Sequence, residues 1–226
     1  VVSESVPVRL SSPQPNYYEQ NSDDWWDSLV LSLRNLTAKI DKNKISAIAI
    51  SNQRETFVCL DSKGNPVRPA IIWLDERCKN NVEEFAKIIG EERIHQITGK
   101  PKDFAPVVYR LAWMKENEQN LFNKTYKFLD VQGFLVYKLT DSFKTSWASA
   151  DPLGIFDLEN KKWSKEILEK LNLEEDRLPE TYSPGIILGH VSRKAAQITG
   201  LREGTIVVAG GGDGEAAGSG VNALNS

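Results

Sequence analysis

At 226 residues, with 40% hydrophobic and 26% charged positions, the chain has the composition of a globular protein long enough for one large domain or two small ones. Its net charge of −3 and pI near 5.6, with lysines and arginines scattered among acids, leave no basic stripe for nucleic acid or an anionic membrane. Apolar runs such as AIAI and TIVVA fall far short of the roughly 18 residues of a membrane span, and no secretion signal opens the chain, so a cytoplasmic protein with a small-molecule ligand is expected.

In chain order, VVSESVPVRL alternates like a half-buried strand and is broken by Pro13 and Pro15. SDDWWDSLVLSLRNLTAKI predicts a helix, with Ser22 as its cap, acids in its first turn and one apolar face made by Trp26, Leu29, Val30, Leu33, Leu36 and Ile40. KISAIAIS reads as a buried strand, and ETFVCLDSKGNPVRPAIIWLDER as two further strands joined through a KGNP turn. From Asp75 to Lys115 the pattern is helical except at TGKPKDFAP, where Gly99, Pro101 and Pro106 force irregular backbone. YKFLD, a helical VQGFLVYKLT, short strands and turns over SFKTSWASADPLGIFDLENKKW, a helix SKEILEKLN and a small helix near SRKAAQITG follow. The strand TIVVAG then leads into a run of glycines. Strands alternating with helices predict an α/β domain, and the KGNP hairpin makes part of its sheet antiparallel.

Cys59 and Cys78 form no C-x-x-C pair and are expected to be packing thiols, and His95 and His190 have no acid or cysteine at ligand spacing, so no metal site is assigned. The chain begins at Val1 and stops at VNALNS just after a helix-like segment starts, which suggests a sequence cut at both ends.

The segment TIVVAGGGDGEAAGSG sets one acid, Asp213, among glycines behind an apolar strand. A Walker phosphate loop needs a lysine after its glycines, and none follows Lys194. A dinucleotide fingerprint fits Gly212 to Ala217, but it requires an acid about 20 residues further on, beyond the end of the chain. The third reading makes Asp213 the purposeful group at a strand-to-helix junction, where α/β folds place ligands. The local sequence leaves this open against a plain helix cap.

Taken in order, AISNQRETFVCLD, AIIWLDERC, TGKPKDF with YRLAWMKE, FLDVQGFLVYKLTD, SWASADPLGIFDLENKKW and VVAGGGDGEAAGSG resemble the amino-terminal domain of the FGGY carbohydrate kinases. The resemblance spans nearly the whole chain. It implies a ribonuclease-H-like domain of the actin and hexokinase superfamily, in which five parallel and antiparallel strands pack between helices, and phosphoryl transfer from Mg-ATP to a sugar or polyol hydroxyl. It gives Asp213 the role of general base. Arg54 and Glu55 become hydrogen-bonding partners of substrate hydroxyls, Trp73 a platform for the carbon chain, and Gly211 and Gly212 the room for the γ-phosphate. Without the resemblance, Arg54 and Glu55 read first as a solvated ion pair, Trp73 as core, and Asp75 and Arg77 as the start of a helix.

The resemblance also has gaps. Ala105 stands where glycerol kinases place a substrate-contacting tyrosine, which suggests a larger acceptor. Arg54 and Glu55 replace the methionine and histidine of the xylulokinase pattern, and Gly214 replaces an amide. The family's first strand and phosphate loop, and its second, adenosine-binding domain, are not matched. Residues 1–226 are therefore expected to be the acceptor half of a kinase, inactive alone, prone to self-association through an open sheet edge and a candidate homodimer. A dehydrogenase, or a non-catalytic sugar-binding protein on the same fold, is the competing expectation.

Overall fold

The computed structural model of the chain describes residues 2–221. It begins with a long extended segment, β1 (Glu19–Gln20) and α1 (Ser22–Thr37), followed by β2 (Ala47–Asn52), β3 (Phe57–Leu60) and β4 (Ala70–Ile71). Helices α2 (Lys79–Ile89), α3 (Glu91–Thr98), α4 (Val107–Asn117) and α5 (Gln119–Lys124) come next, then β5 (Lys127–Asp130) and α6 (Val131–Thr140). The remainder runs through β6 (Lys144–Ser146), α7 (Trp147–Ala150), β7 (Phe156–Asp157), β8 (Lys162–Trp163), α8 (Lys165–Leu171), β9 (Glu180–Tyr182), β10 (Ile187–His190), α9 (Arg193–Thr199), β11 (Ile206–Gly212) and α10 (Asp213–Gly220).

Two sheets carry the fold. One is antiparallel in the order β1-β4-β3-β5, and the other joins β10, β11 and β2 with β11 parallel to β2. The mixed α/β class stands, with the strands divided between these two sheets and two further pairs, β6-β9 and β7-β8, instead of one sheet of five strands. A tight turn over residues 53–56, where Glu55 has φ 44°, separates β2 from β3.

Strand alternation explains where the core lies. On β3, Phe57 and Cys59 point into an apolar cluster with α2, α4 and α8, whereas Val58 and Leu60 point into a second cluster with α1, α6 and α9. Phe128 and Leu129 of β5 divide the same way, as do Ile71 and Ala70 of β4. The antiparallel sheet is thus the middle layer between two shells of helices, and the KGNP hairpin pairs β3 with β4 as the sequence predicts. Cys59 and Cys78 are free and buried, and burial pushes their thiols up to about 12 and about 11, as expected of packing residues.

Three local expectations fail. Residues 2–10 form no strand. Val2, Val8 and Leu10 are exposed, and the segment is tied along α1 through the Ser28 hydroxyl to the Pro7 carbonyl and Asn35 to Glu4. Alternation alone cannot make a strand without a partner ladder. The α1 cap is Asn21, whose side chain accepts from the Asp23 amide, while Ser22 is buried as the first helical residue. Finally, β2 is not buried throughout, because Ala47, Ala49 and Ser51 are exposed while Ile50 and Asn52 face inward.

Candidate active site

The parallel pair β11 and β2 sets the geometry of the site. Gly212 is in register with Asn52, so both chains leave the sheet at the same end, one into Asp213 and the other into Arg54 and Glu55. The carboxyl ends of adjacent parallel strands are where open α/β sheets place ligands. Val208 pairs with Ala49 but Gly211 with Ser51, so β11 carries one extra residue as a bulge. One of its glycines is sterically required: a Cβ on Gly210 would lie 2.1 Å from the Ile50 carbonyl oxygen, whereas one on Gly212 would meet only the movable side chains of Glu215, at 2.1 Å from Oε2, and Arg54, at 2.6 Å from Cδ. A Cβ on Gly211 would touch only Ala148, at 3.8 Å.

The end of β2 is held by amides and hydroxyls. Gln132 Nε2 donates to the Ile50 carbonyl and its Oε1 accepts from the Ser146 amide, while Asn52 Oδ1 accepts from Ser149 Oγ. These bonds bring α6 and α7 against the strand end and deliver Asp151, just beyond α7, to Arg54. Arg54 Nη2 donates to Asp151 Oδ2 at 2.8 Å, Nη1 donates to Glu215, and Nε lies 3.9 Å from Glu55 Oε1. Lys100, in the break after α3, donates to the same Asp151 Oδ2 at 2.5 Å.

Burial pushes the Glu55 carboxyl above its ordinary value, and the positive charges of Arg54, Lys100 and Arg110 oppose that rise. Thr56 Oγ1 donates to the Arg54 carbonyl and accepts from the Trp73 amide, which ties the β2–β3 turn to the turn after β4 that carries Trp73. Trp73 is 48% exposed, so it is a surface residue and not core. Behind it, the fully buried Arg110 donates to the carbonyls of Ile72 and Ala105, clipping together the two loops that carry Trp73 and Ala105. Burial pulls its guanidinium down to about 10.

Asp213 is exposed and is the first residue of α10. The N-cap position belongs to Gly212, which makes no side-chain cap bond, and Asp213 Oδ1 accepts only from the Gly214 amide at 3.0 Å. Asp213 is thus not the N-cap residue, although its carboxylate does accept from a first-turn amide of α10. A Cβ on Gly214 would meet nothing within 4 Å, so the missing amide leaves open space beside Asp213.

The structure brings Arg54 and Glu55 together, and Glu215 joins Arg54 to the helix that Asp213 opens. It adds Lys100, Asp151, Glu215 and Arg110, which the sequence reading passed over. Asp75 and Arg77 do not merely start a helix. Asp75 is completely buried and accepts from Arg77 Nε and Nη2 and from the Tyr18 amide, so this block anchors the segment before α1. Among the described residues no three acids, histidines or cysteines converge as metal ligands. Chemically, the site offers one exposed carboxylate beside a row of alternating hydrogen-bond acceptors and donors and an apolar indole face. That combination suits a polyhydroxylated small molecule.

The model of the N-terminal domain of the FGGY family of carbohydrate kinases matches residues 1–220. A xylulose kinase of Staphylococcus xylosus is 30% identical over 211 residues, a match covering 93% of this chain and 44% of that protein. A glycerol kinase of Thermococcus kodakarensis is 30% identical over 188 residues, covering 80% of this chain and 38% of that protein. The solved structure of a gluconate kinase from Lactobacillus acidophilus superimposes with a TM-score of 0.93 at 25% identity, covering 98% of this chain and 45% of that one. The chain spans less than half the length of each of these relatives.

Proposed function

The chain belongs to the FGGY family of carbohydrate kinases, and from that premise we propose that it is the acceptor-binding domain of an enzyme that phosphorylates a sugar or polyol hydroxyl with ATP. The observation that carries the reading is the placement of Asp213 and Arg54 at the neighbouring ends of the parallel strands β11 and β2, with Glu215 joining them. The relatives are kinases of a ketose, a polyol and an aldonate, so likeness alone does not choose the acceptor. A xylulose-like ketose or a polyol is the proposed class, because Glu55 and Asp151 disfavour a carboxylate.

In this reading Asp213 accepts the proton of the acceptor hydroxyl as its oxygen bonds to the γ-phosphorus, and the bond to the ADP oxygen breaks. Phosphoryl transfer depends chiefly on in-line positioning and neutralised charge, so an ordinary carboxylate within about 3 Å of the hydroxyl suffices. Arg54 donates to, and Glu55 accepts from, hydroxyls further along the acceptor, and Trp73 packs on its carbon chain. Gly211, whose Cβ position meets only Ala148 at 3.8 Å, leaves space for the γ-phosphate, whereas the corresponding side of Gly212 is filled by Glu215 and Arg54, and Mg2+ would accompany the phosphate with the nucleotide. Residues 1–226 serve as one domain, with the adenosine held by the remaining length of a full kinase. The reading extends to a cytoplasmic enzyme, where ATP is available. Among the described residues no helix is long and apolar enough to cross a membrane.

The test is acceptor-dependent ADP release by the full-length parent with glycerol, longer polyols, pentuloses, hexuloses and aldonates, beside Asp213→Asn. The expected outcome is turnover with at least one acceptor and a fall of about 10²- to 10⁴-fold in the variant. Turnover that survives the substitution would remove Asp213 from the chemistry.

A further inference from the structure

Asp151 is a carboxylate half used. Its Oδ2 accepts from both Arg54 Nη2 at 2.8 Å and Lys100 Nζ at 2.5 Å, while Oδ1 is buried without any hydrogen-bond partner. Arg54 Nε is likewise buried and unpartnered. Buried polar atoms are nearly always satisfied, so an unused acceptor beside an unused donor calls for an explanation. The three side chains are 24%, 19% and 18% exposed for Arg54, Asp151 and Lys100, so the bridge lies at the rim of the site and not in the core. Lys100 has three N–H donors and spends one on Asp151.

The groups form a row in which acceptor and donor alternate: Glu55, Arg54, Asp151, Lys100. Successive hydroxyls of a polyol each donate and accept, which matches such a row. An acceptor whose reacting hydroxyl sits at Asp213 and whose next two are read by Arg54 and Glu55 has used the three hydroxyls of glycerol. Asp151 and Lys100 remain for a fourth and beyond.

We propose that Lys100 and Asp151 are specificity-determining residues that read the distal hydroxyls of an acceptor with five or more carbons. The Asp151 carboxylate, partly exposed as a whole, accepts from one hydroxyl, and a free N–H of Lys100 donates to its neighbour. The two residues come from the break after α3 and the turn after α7, and only the fold brings them together. The inference rests on the kinase reading and adds acceptor length to it.

The experiment uses the full-length parent with Lys100→Met, Asp151→Asn and, as the conservative control, Lys100→Arg. Two quantities are measured with xylulose, ribitol and glycerol: kcat and KM in the presence of ATP, and calorimetric affinity without nucleotide. Loss of a hydrogen bond to a charged group corresponds to about 10- to 100-fold. The expected result is that the preference for five-carbon over three-carbon acceptors falls by at least about tenfold in Lys100→Met and Asp151→Asn, through KM and affinity more than kcat. Lys100→Arg should keep most of it. A parallel loss for long and short acceptors would overturn the proposal, because the pair would then only hold Arg54 in place. An unchanged preference would overturn it too. Failure of the kinase reading looks different: no acceptor gives turnover in the unsubstituted protein, and the calorimetric comparison still decides whether these residues read acceptor length.

Discussion

Arg77 lies between two rings, 4.2 Å from the centroid of Tyr17 and 5.1 Å from that of Trp113, with its guanidinium on Asp75 and Glu19. Burial would lower its pKa, but the hydrogen bonds to Asp75 and Glu19 prevail and hold it above the ordinary value. Removing Asp75 leaves the buried Arg77 with Glu19 as its remaining acid partner. Asp75→Ala should therefore cost up to about 3–5 kcal/mol in urea denaturation, whereas a loss below about 1 kcal/mol would mean that Glu19 or water relieves Arg77. At this scale, the residues legible in the sequence were those inside one contiguous block. Arg54 and Glu55 follow one strand, Trp73 follows another, and Asp213 stands among glycines. Lys100, Asp151 and Glu215 were not legible, because nothing local marks a charge whose partner is more than 50 residues away or on another strand end. Arg110 was masked by the apolar residues around it in VVYRLAWM, where a buried cation has no signal of its own.

Among the elements, α6 shows how a cap carries a pH dependence. Asp130 closes β5 and caps the helix, its Oδ1 accepting from the Gly133 amide and from Thr145 Oγ1. Burial pushes its carboxyl from 3.8 up to about 6, and these hydrogen bonds only partly oppose the rise. Between those values the folded state holds a proton that the unfolded chain has released, so this group's contribution to stability falls as pH rises through the window. Above about pH 6 the loss is about 3 kcal/mol. Asp130→Asn keeps an acceptor oxygen and cannot titrate. Its stability relative to the parent should rise by about that amount between pH 4 and pH 7, read from urea midpoints at each pH, and a constant difference would exclude the linkage. Helices were the most legible elements, because capping residues and apolar spacing act within one turn. Strands were harder: β2 and residues 2–10 show similar alternation, and only β2 found a partner in β11.

For the whole molecule, the α/β class followed from the sequence, but the division into two sheets did not, since it depends on the turn at residues 53–56 that carries Glu55. One edge of the mixed sheet bears on solution behaviour. Among the described residues β2 pairs on one side only, and Ala47, Ala49 and Ser51 of that strand are exposed. An unprotected edge is a template for further pairing. The isolated chain should accordingly associate as its concentration rises in sedimentation velocity, and a monomer at every concentration would show that the edge is blocked.

Helix α10 buries none of its residues, and its first turn is clasped to the body of the protein through Glu215 and Arg54. Arg54 is also the group proposed to grip the acceptor, so the helix that carries the proposed base and the pocket that receives the hydroxyl share one hinge pin. A displacement of that helix and the engagement of the acceptor thus act on the same guanidinium, and any coupling between them is reciprocal, the factor by which one changes the other holding in both directions.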